Sequence, residues 1–325
     1  MRPRVVMVLA LAALLLGGVL LVPAAYAKLS DSSGGASSEA TAAAAGTAPT
    51  IPPKVVEPPQ PTLAAAPVSV KVDGFYSWAL MDLKTGKISG SKNSATQTSS
   101  TESMIKTWIV SDYLRQIDEE GQPLSKTVQA SIQRAIRDSN DDDAGMINKM
   151  GGGTAQTKRM ISVCGLKNTH LGKVPGYVGW WSFTEMSAQD VTRLGNCIQS
   201  GKAAGKKYTP LVLSEMSKVR GSVGDQHTTY GGGRWGIIDG LPKEITAKQG
   251  PISIKNGWTQ LVYDGDWHIS CMAISKSWIL AVQTRYPSSQ PLSVGAKVCQ
   301  DTATQLVTPK VGAALRVPSS GSTQG

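Results

Sequence analysis

The sequence predicts an α+β fold whose sheet is assembled from both ends of the chain. Three observations carry that expectation. Two strand-like runs flank a tight turn in "GFYSWALMDLKTGKISGSKN" (74–93). A block of amphipathic helical segments follows. Three further strand-like runs, 250–258, 267–275 and 277–287, then precede a last helical stretch over 292–308. The early pair of strands must therefore meet the late three across the whole helical block.

Taken in order, the turn of the first pair lies at "DLKTGK". A helix is expected to start near Ser103, with Ile105, Trp108, Ile109 and Val110 as its inner face and "EEGQP" (119–123) as its end. Leu124, Val128, Ile132 and Ile136 recur every four residues and mark a second helix running into "RDSN". A third begins over 140–145, with Asp141, Asp142 and Asp143 where the helix dipole favours acid. "MGGGTAQTKRMISVCG" holds a turn and a short helix, and "LKNTHLGKVPGYVGWW" reads as a loop. In "TEMSAQDVTRLGNCIQSG", Ser187 is the expected cap of a helix and Gly201 its stop. No internal repeat is present.

Outside this domain, Arg2 and Arg4 precede an apolar run from Val5 to Val22, and "AYA" offers a small-residue cleavage site. Residues 1–27 are expected to be a signal peptide or a membrane anchor. The Ala-, Ser- and Pro-rich stretch 28–67 reads as a disordered linker, 68–316 as the globular domain and 317–325 as a disordered tail. The chain carries 33 basic and 23 acidic residues, a charge of +10, and removing Arg2 and Arg4 leaves +8. Such a protein is expected to be secreted or held in the cell envelope, against an anionic cell-wall surface. The basic residues are scattered and no basic helix is interleaved with aromatics, so nucleic acid is not an expected partner. Cys164, Cys197, Cys271 and Cys299 form no CxxC pair, and an even count in an exported chain points to two disulfides. Of three connectivities the reading adopts neighbour pairing, Cys164 with Cys197 and Cys271 with Cys299; buried thiols are the alternative. His170, His227 and His268 share no ligand spacing, so neither a metal nor a cofactor is expected.

The chemistry starts at "TESMIKTWIV" (101–110). Ser103 and Lys106, three apart, share one face of a helix. A lysine desolvated at a helix N-terminus, close to other cations, can lose its proton and serve as base to the serine. The serine's own N–H can supply half of an oxyanion hole. The alternative is a helix start with a surface lysine. A second SxxK, Ser89 with Lys92, lies in a polar turn.

Ser139 in "RDSNDDDAG" and Lys255-Asn256-Gly257 in "SIKNGW" follow in that order. With them the chain resembles the active-site-serine family of class A β-lactamases and D-alanyl-D-alanine peptidases, whose signatures are SxxK, SDN or SxN, and KTG. The resemblance spans most of 70–308. It implies a five-stranded antiparallel sheet flanked by helices, with a helical subdomain. It also implies Ser103 as nucleophile, Lys106 as base, Ser139 as proton shuttle to the leaving group and Lys255 as the cation that tunes it. Gly257 would admit substrate backbone, Trp258 would give the second oxyanion N–H, and Asp141 and Asn256 would occupy substrate-binding positions. Arg234 and Arg285 are candidates for holding a substrate carboxylate, and Trp180, Trp181 and Trp258 for lining a groove. The literal "KTG" at 84–86 precedes the serine and reads as a turn.

Three departures bear on activity. The second motif reads Ser139-Asn140-Asp141, placing acid where the family has Asn. The third has Asn256 where the family has Thr or Ser. The loop carrying the family's deacylating Glu shows Val174-Pro175, with no acidic residue between Asp143 and Glu185. The expected function is an exported serine hydrolase or acyltransferase, forming a Ser103 acyl-enzyme on a peptidoglycan-like peptide or a related amide or ester. One alternative is a catalytically silent relative that binds peptidoglycan or β-lactam. The other is a class A-like β-lactamase lacking the loop Glu.

Overall fold

The computed structural model describes residues 68–226 and 231–307. The expected leader or anchor, the linker and the 317–325 tail lie outside the described residues. In chain order the elements are β1 (Phe75–Asp82), β2 (Ile88–Gly90), β3 (Thr98–Ser100), α1 (Lys106–Glu119), α2 (Lys126–Arg137), α3 (Asp141–Met150) and α4 (Thr154–Cys164). There follow β4 (Thr169–His170), β5 (Glu185–Ser187), α5 (Ala188–Gln199), α6 (Gly205–Met216), α7 (Lys243–Gln249), β6 (Ser253–Leu261), β7 (Asp266–Ile274), β8 (Trp278–Pro287) and α8 (Leu292–Leu306).

The five expected strands form one antiparallel sheet in the order β2-β1-β8-β7-β6. β1 pairs with β8 from Phe75 opposite Arg285 to Asp82 opposite Trp278, which closes the two ends of the chain on each other. Helices cover both faces. Gly195 on α5 lies against Met272 and Ile279, whereas Gly295 on α8 lies against Ile269 and Tyr286. Neighbouring strand residues alternate sides, so these contacts fall on opposite faces of the sheet. Because both faces are covered, β8 is buried without a break from Trp278 to Thr284, and its sequence reads as a nearly continuous apolar run. The turn between β1 and β2 is built by Asp82, whose carboxylate accepts from Lys84 N and Thr85 Oγ1, both at 2.9 Å. The "KTG" at 84–86 is thus turn chemistry.

The helical subdomain is organised by α1. Trp108 is fully buried, and its Nε1 donates to Gln156 O at 2.9 Å. Gln156 returns the contact, its Nε2 donating to Ile109 O at 2.9 Å. Asp112 is also buried and accepts from Arg159 Nη2 at 2.6 Å and Gln116 Nε2 at 2.9 Å, so α4 is held to α1 by charge-assisted bonds. The caps follow side-chain chemistry. Ser125 accepts from Val128 N, Asn140 from Asp143 N and Ser187 from Asp190 N, each satisfying an orphan donor of a first turn.

Two features were not expected. The stretch read as a loop contributes β4 to a small second sheet of order β3-β5-β4. Its strands are two or three residues long, too short to show alternation. α6 and α7 were also passed over. α6 contains Pro210, a residue that normally argues against a helix interior. Among the described residues no helix is long and apolar enough to cross a membrane.

The cysteines pair as neighbours. Cys164–Cys197 joins the end of α4 to α5, and Cys271–Cys299 joins β7 to α8. They close segments of 33 and 28 residues. By restricting the unfolded chain, each should contribute about 3–4 kcal/mol. Replacing Cys164 and Cys197 together by Ser is expected to lower the unfolding free energy by about that amount. Urea denaturation followed by circular dichroism checks this, and an unchanged midpoint would remove the cross-link from the account of stability.

Candidate active site

β3 delivers the chain to the site. Thr101 N donates to Thr184 O of the segment entering β5 at 2.9 Å, and the backbone then winds through a 3₁₀ turn, Glu102–Ile105, into α1. Glu102 enters that turn at φ +48°, a left-handed conformation rare for a residue with a side chain. Strain of this kind costs about 1–3 kcal/mol and persists only where the surroundings enforce it. The turn packs against β6, the edge strand of the large sheet. Gly257 makes that possible. A Cβ there would lie 2.4 Å from Thr101 O and 2.7 Å from both Ser103 N and Met104 N. The close approach anticipated at Gly257 is therefore the protein's own backbone, which seats the start of the nucleophile helix against the strand.

Lys106, one turn beyond Ser103, is fully buried. Its Nζ donates to Ser139 O at 2.5 Å, to Asp141 Oδ1 at 2.6 Å and to Ser139 Oγ at 3.3 Å. It also lies 5.4 Å above the indole of Trp181. Burial pushes the pKa of Lys106 down, against the carboxyls of Asp141 and Glu102, which pull it up. Lys255 on β6 is buried as completely, and its Nζ donates to Ser139 Oγ at 2.9 Å. Burial, reinforced by the neighbouring Lys106, drives its pKa far below the usual lysine range. Two buried amines thus meet at one hydroxyl. Ser139 itself is held at φ +58° between α2 and α3. Since Ser139 Oγ accepts from both lysines, its own proton remains to be donated.

Ser103 and Ser139 open with Asp141, Trp181 and Trp258 into one cleft of about 300 Å³. Among the described residues the Ser103 hydroxyl makes no hydrogen bond, so in this state Lys106 is turned to Ser139 and Asp141. Trp258 contributes its indole, which packs edge-on against Trp235 at 5.5 Å. Lys255 lies 5.8 Å above the same ring.

Four residues expected at substrate-binding positions are engaged by the protein itself. Asn256 is buried, and its amide donates to Gly233 O at 3.0 Å and Trp235 O at 2.8 Å; with both hydrogens committed to that loop it has none for a substrate carboxylate. Arg234 does not line the cleft; its Nη1 donates to Asp239 Oδ1 at 3.0 Å. Arg285 is likewise engaged, its guanidinium 4.6 Å from the ring of Phe75. Asp141 lines the cleft, its side chain largely exposed, and pairs through Oδ1 with Lys106. Asn140 caps α3. Of the histidines, His170 is exposed and His227 lies outside the described residues.

His268 is buried beneath the site in a chain of groups that sequence reasoning did not assemble. Glu102 Oε1 accepts from Ser100 Oγ at 2.6 Å, Ser100 Oγ lies 2.7 Å from His268 Nδ1, and His268 Nε2 lies 2.7 Å from Asp264 Oδ2. Burial pushes the Glu102 carboxyl up to about 7, with Glu185 and Asp141 reinforcing and the Ser100 hydroxyl opposing. Burial also lowers His268, against the pull of Asp264. The only signal in the sequence was adjacency of Glu102 to Ser103. The other three residues are spread over 168 positions and come together only through the pairing of β6, β7 and the small sheet.

Two predictions follow from this packing. Ala at Gly257 has only backbone to meet, so Gly257→Ala is expected to cost about 1–3 kcal/mol and to part the turn from β6. Denaturation midpoints check it, and a wild-type midpoint would mean that the strand yields freely. Glu102 holds its proton more tightly folded, near 7, than unfolded, near 4.5. Its contribution to stability therefore declines as pH rises from 4.5 through 7. Glu102→Gln should be more stable than wild type at pH 8 by roughly 3 kcal/mol and should lose that advantage near pH 4. Equal effects at both pH values would show an ordinary carboxyl.

No protein-family model matches the sequence, and no curated protein does. Solved structures do match. A β-lactamase from Xanthomonas campestris pv. campestris is similar at TM-score 0.55 and 14% identity, over 72% of this chain and 91% of that one. The TLA-1 extended-spectrum β-lactamase gives TM-score 0.56 and 12% identity, over 73% and 94%. PBP-A gives 0.52 and 15%, over 73% and 90%. At such identities the likeness concerns architecture. The five-stranded antiparallel sheet between α5 and α8, with the helical cluster around α1, is the β-lactamase/transpeptidase-like fold.

Proposed function

We propose that the chain is an active-site-serine hydrolase or acyltransferase of the β-lactamase/D-alanyl-D-alanine peptidase type. It acts outside the cytoplasm on a peptidoglycan-like peptide or a related amide or ester. The observation that carries this reading is the meeting of two fully buried lysine amines at Ser139 Oγ, in the cleft that also holds Ser103. Burying amines is expensive, and an arrangement that lowers the pKa of both suits proton transfer.

In this mechanism neutral Lys106 takes the Ser103 hydroxyl proton as Oγ bonds to the substrate carbonyl carbon. The oxyanion is held by the backbone N–H groups of Ser103 and Trp258. The bond to the leaving amine breaks, and that amine takes the Ser139 proton, which the Lys255 ammonium replaces while Lys106 keeps the proton of Ser103. Water or an acceptor amine then releases the acyl group from Ser103. The two disulfides support an extracytoplasmic setting. The clamp of Asp141 on Lys106 favours a second reading, a silent relative that binds wall peptide or β-lactam without acylation.

A fluorescent penicillin separates them. Covalent labelling is expected in wild type, located by peptide mass at residue 103 and absent from Ser103→Ala. Labelling that survives the substitution sinks the acyl-enzyme, and reversible binding alone selects the silent relative. Asp141 raises the pKa of Lys106, so Asp141→Asn should move the rising limb of the acylation rate to lower pH. A limb that stays in place would show that Lys106 is not the base.

A further inference from the structure

The proposed acyl-enzyme needs a group to release it, and the loop between Asp143 and Glu185 offers no carboxyl. The position facing Lys106 from that side is taken by the indole of Trp181, 5.4 Å from the amine. An acidic residue borders the cleft from elsewhere. Glu102 lines it beside Ser103, Trp258 and Thr259, while its residue as a whole is only 1% exposed. Its backbone adopts the left-handed conformation, which places a side chain where few sequences put one.

We infer that Glu102 is the general base of acyl-enzyme release, and that Ser100, His268 and Asp264 form a proton store behind it. This rests on the acyl-enzyme reading above and deepens it. The hydrogen-bond chain has two arrangements with the same number of protons. In one, Glu102 is protonated and donates to Ser100 Oγ, the Ser100 hydroxyl donates to His268 Nδ1, and His268 Nε2–H donates to the Asp264 carboxylate. In the other, Ser100 donates to a Glu102 carboxylate, and His268 is an imidazolium donating from Nδ1 to Ser100 and from Nε2 to Asp264. Moving one proton through the Ser100 hydroxyl converts the first into the second and frees the base. Asp264, partly exposed, links the chain to solvent.

In the release step the Glu102 carboxylate takes a proton from water as the water oxygen bonds to the ester carbonyl carbon. The bond from that carbon to Ser103 Oγ then breaks, and Oγ takes the proton that Lys106 gained during acylation; the proton drawn from water leaves Glu102 through Ser100, His268 and Asp264 to solvent, from which Lys255 regains one. The charged groups around Glu102 are Glu185 on β5, Asp141 on α3 and Lys106 on α1. Those around His268 are Asp264, Glu185 and Arg285 on β8. The two carboxyls nearest Glu102 and its burial all favour its protonated form, with a midpoint near pH 7.

The test follows release of a fluorescent penicillin from the full chain against pH. Wild type is expected to release it with a rate rising through about pH 7. Glu102→Gln should still be labelled at Ser103 but release the label about 100-fold more slowly and lose the limb. Ser100→Ala keeps the carboxyl and removes a hydrogen bond that lowers its pKa, so its limb should move to higher pH, a change that a purely structural serine would not produce. Release independent of pH in wild type, or an unchanged rate in Glu102→Gln, overturns the inference while leaving the acyl-enzyme intact. If Glu102→Gln does not fold, an unmoved limb in Ser100→Ala overturns it instead. Failure of wild type to label at all removes both the acyl-enzyme and this step.

Discussion

The structure depends on two lysine amines withdrawn from water and aimed at one hydroxyl. Lys106 and Lys255 are both fully buried, on a helix and on an edge strand far apart in sequence, and Ser139 lies between them. Desolvating an ammonium costs several kcal/mol even after relaxation, so the pair resists carrying two full charges. Asp141 offsets part of the charge on Lys106 from a largely exposed position. The helical subdomain, the junction between α2 and α3 and the free edge of the large sheet must all be in register for these contacts to exist.

That register is held by local exceptions to ordinary backbone preference. Glu102 and Ser139 are the two positive-φ residues other than glycine among the described residues, and both line the cleft. Each is fixed by contacts that would be lost in a relaxed backbone: Ser100 to Glu102, and Lys106 to the Ser139 carbonyl. Gly257 is the converse case, where a missing side chain lets Ser103 N sit on the strand. Sequences that follow local rules everywhere except around one cleft commonly place their chemistry there.

Much of the architecture was legible because long elements carry strong patterns. The four-residue recurrence from Leu124 to Ile136 marked α2, Ser187 marked the start of α5, and the run at 277–287 marked β8 as a strand. The small sheet left no pattern, since strands of two or three residues cannot display one. Pro210 hid α6. At the site, the order of SxxK, Ser139 and the Lys255 strand identified which residues to watch. It could not reveal that Asn256 serves a loop, that Arg234 turns to Asp239, or that Asp141 sits on Lys106. Those outcomes are set by which neighbour reaches a polar group first, information that spacing along a chain does not contain. Glu102 was missed for the same reason: its meaning comes from Ser100 and His268, which the fold brings beneath it.

The interaction between Glu102 and Lys106 ties the two proposed half-reactions together. Each raises the other's preference for charge when both are ionised, because a carboxylate near Lys106 pulls its pKa up. Acylation requires a neutral Lys106, which is favoured while Glu102 is protonated and exerts no such pull. Release requires the reverse, an anionic Glu102 to take a proton from water and a cationic Lys106 to return one to Ser103. The acylation step itself protonates Lys106, and the new ammonium then favours loss of the Glu102 proton toward Ser100. The product of the first step thus prepares the base for the second. With the cleft's other carboxyl, Asp141, already committed to Lys106, Glu102 is the carboxyl left to respond.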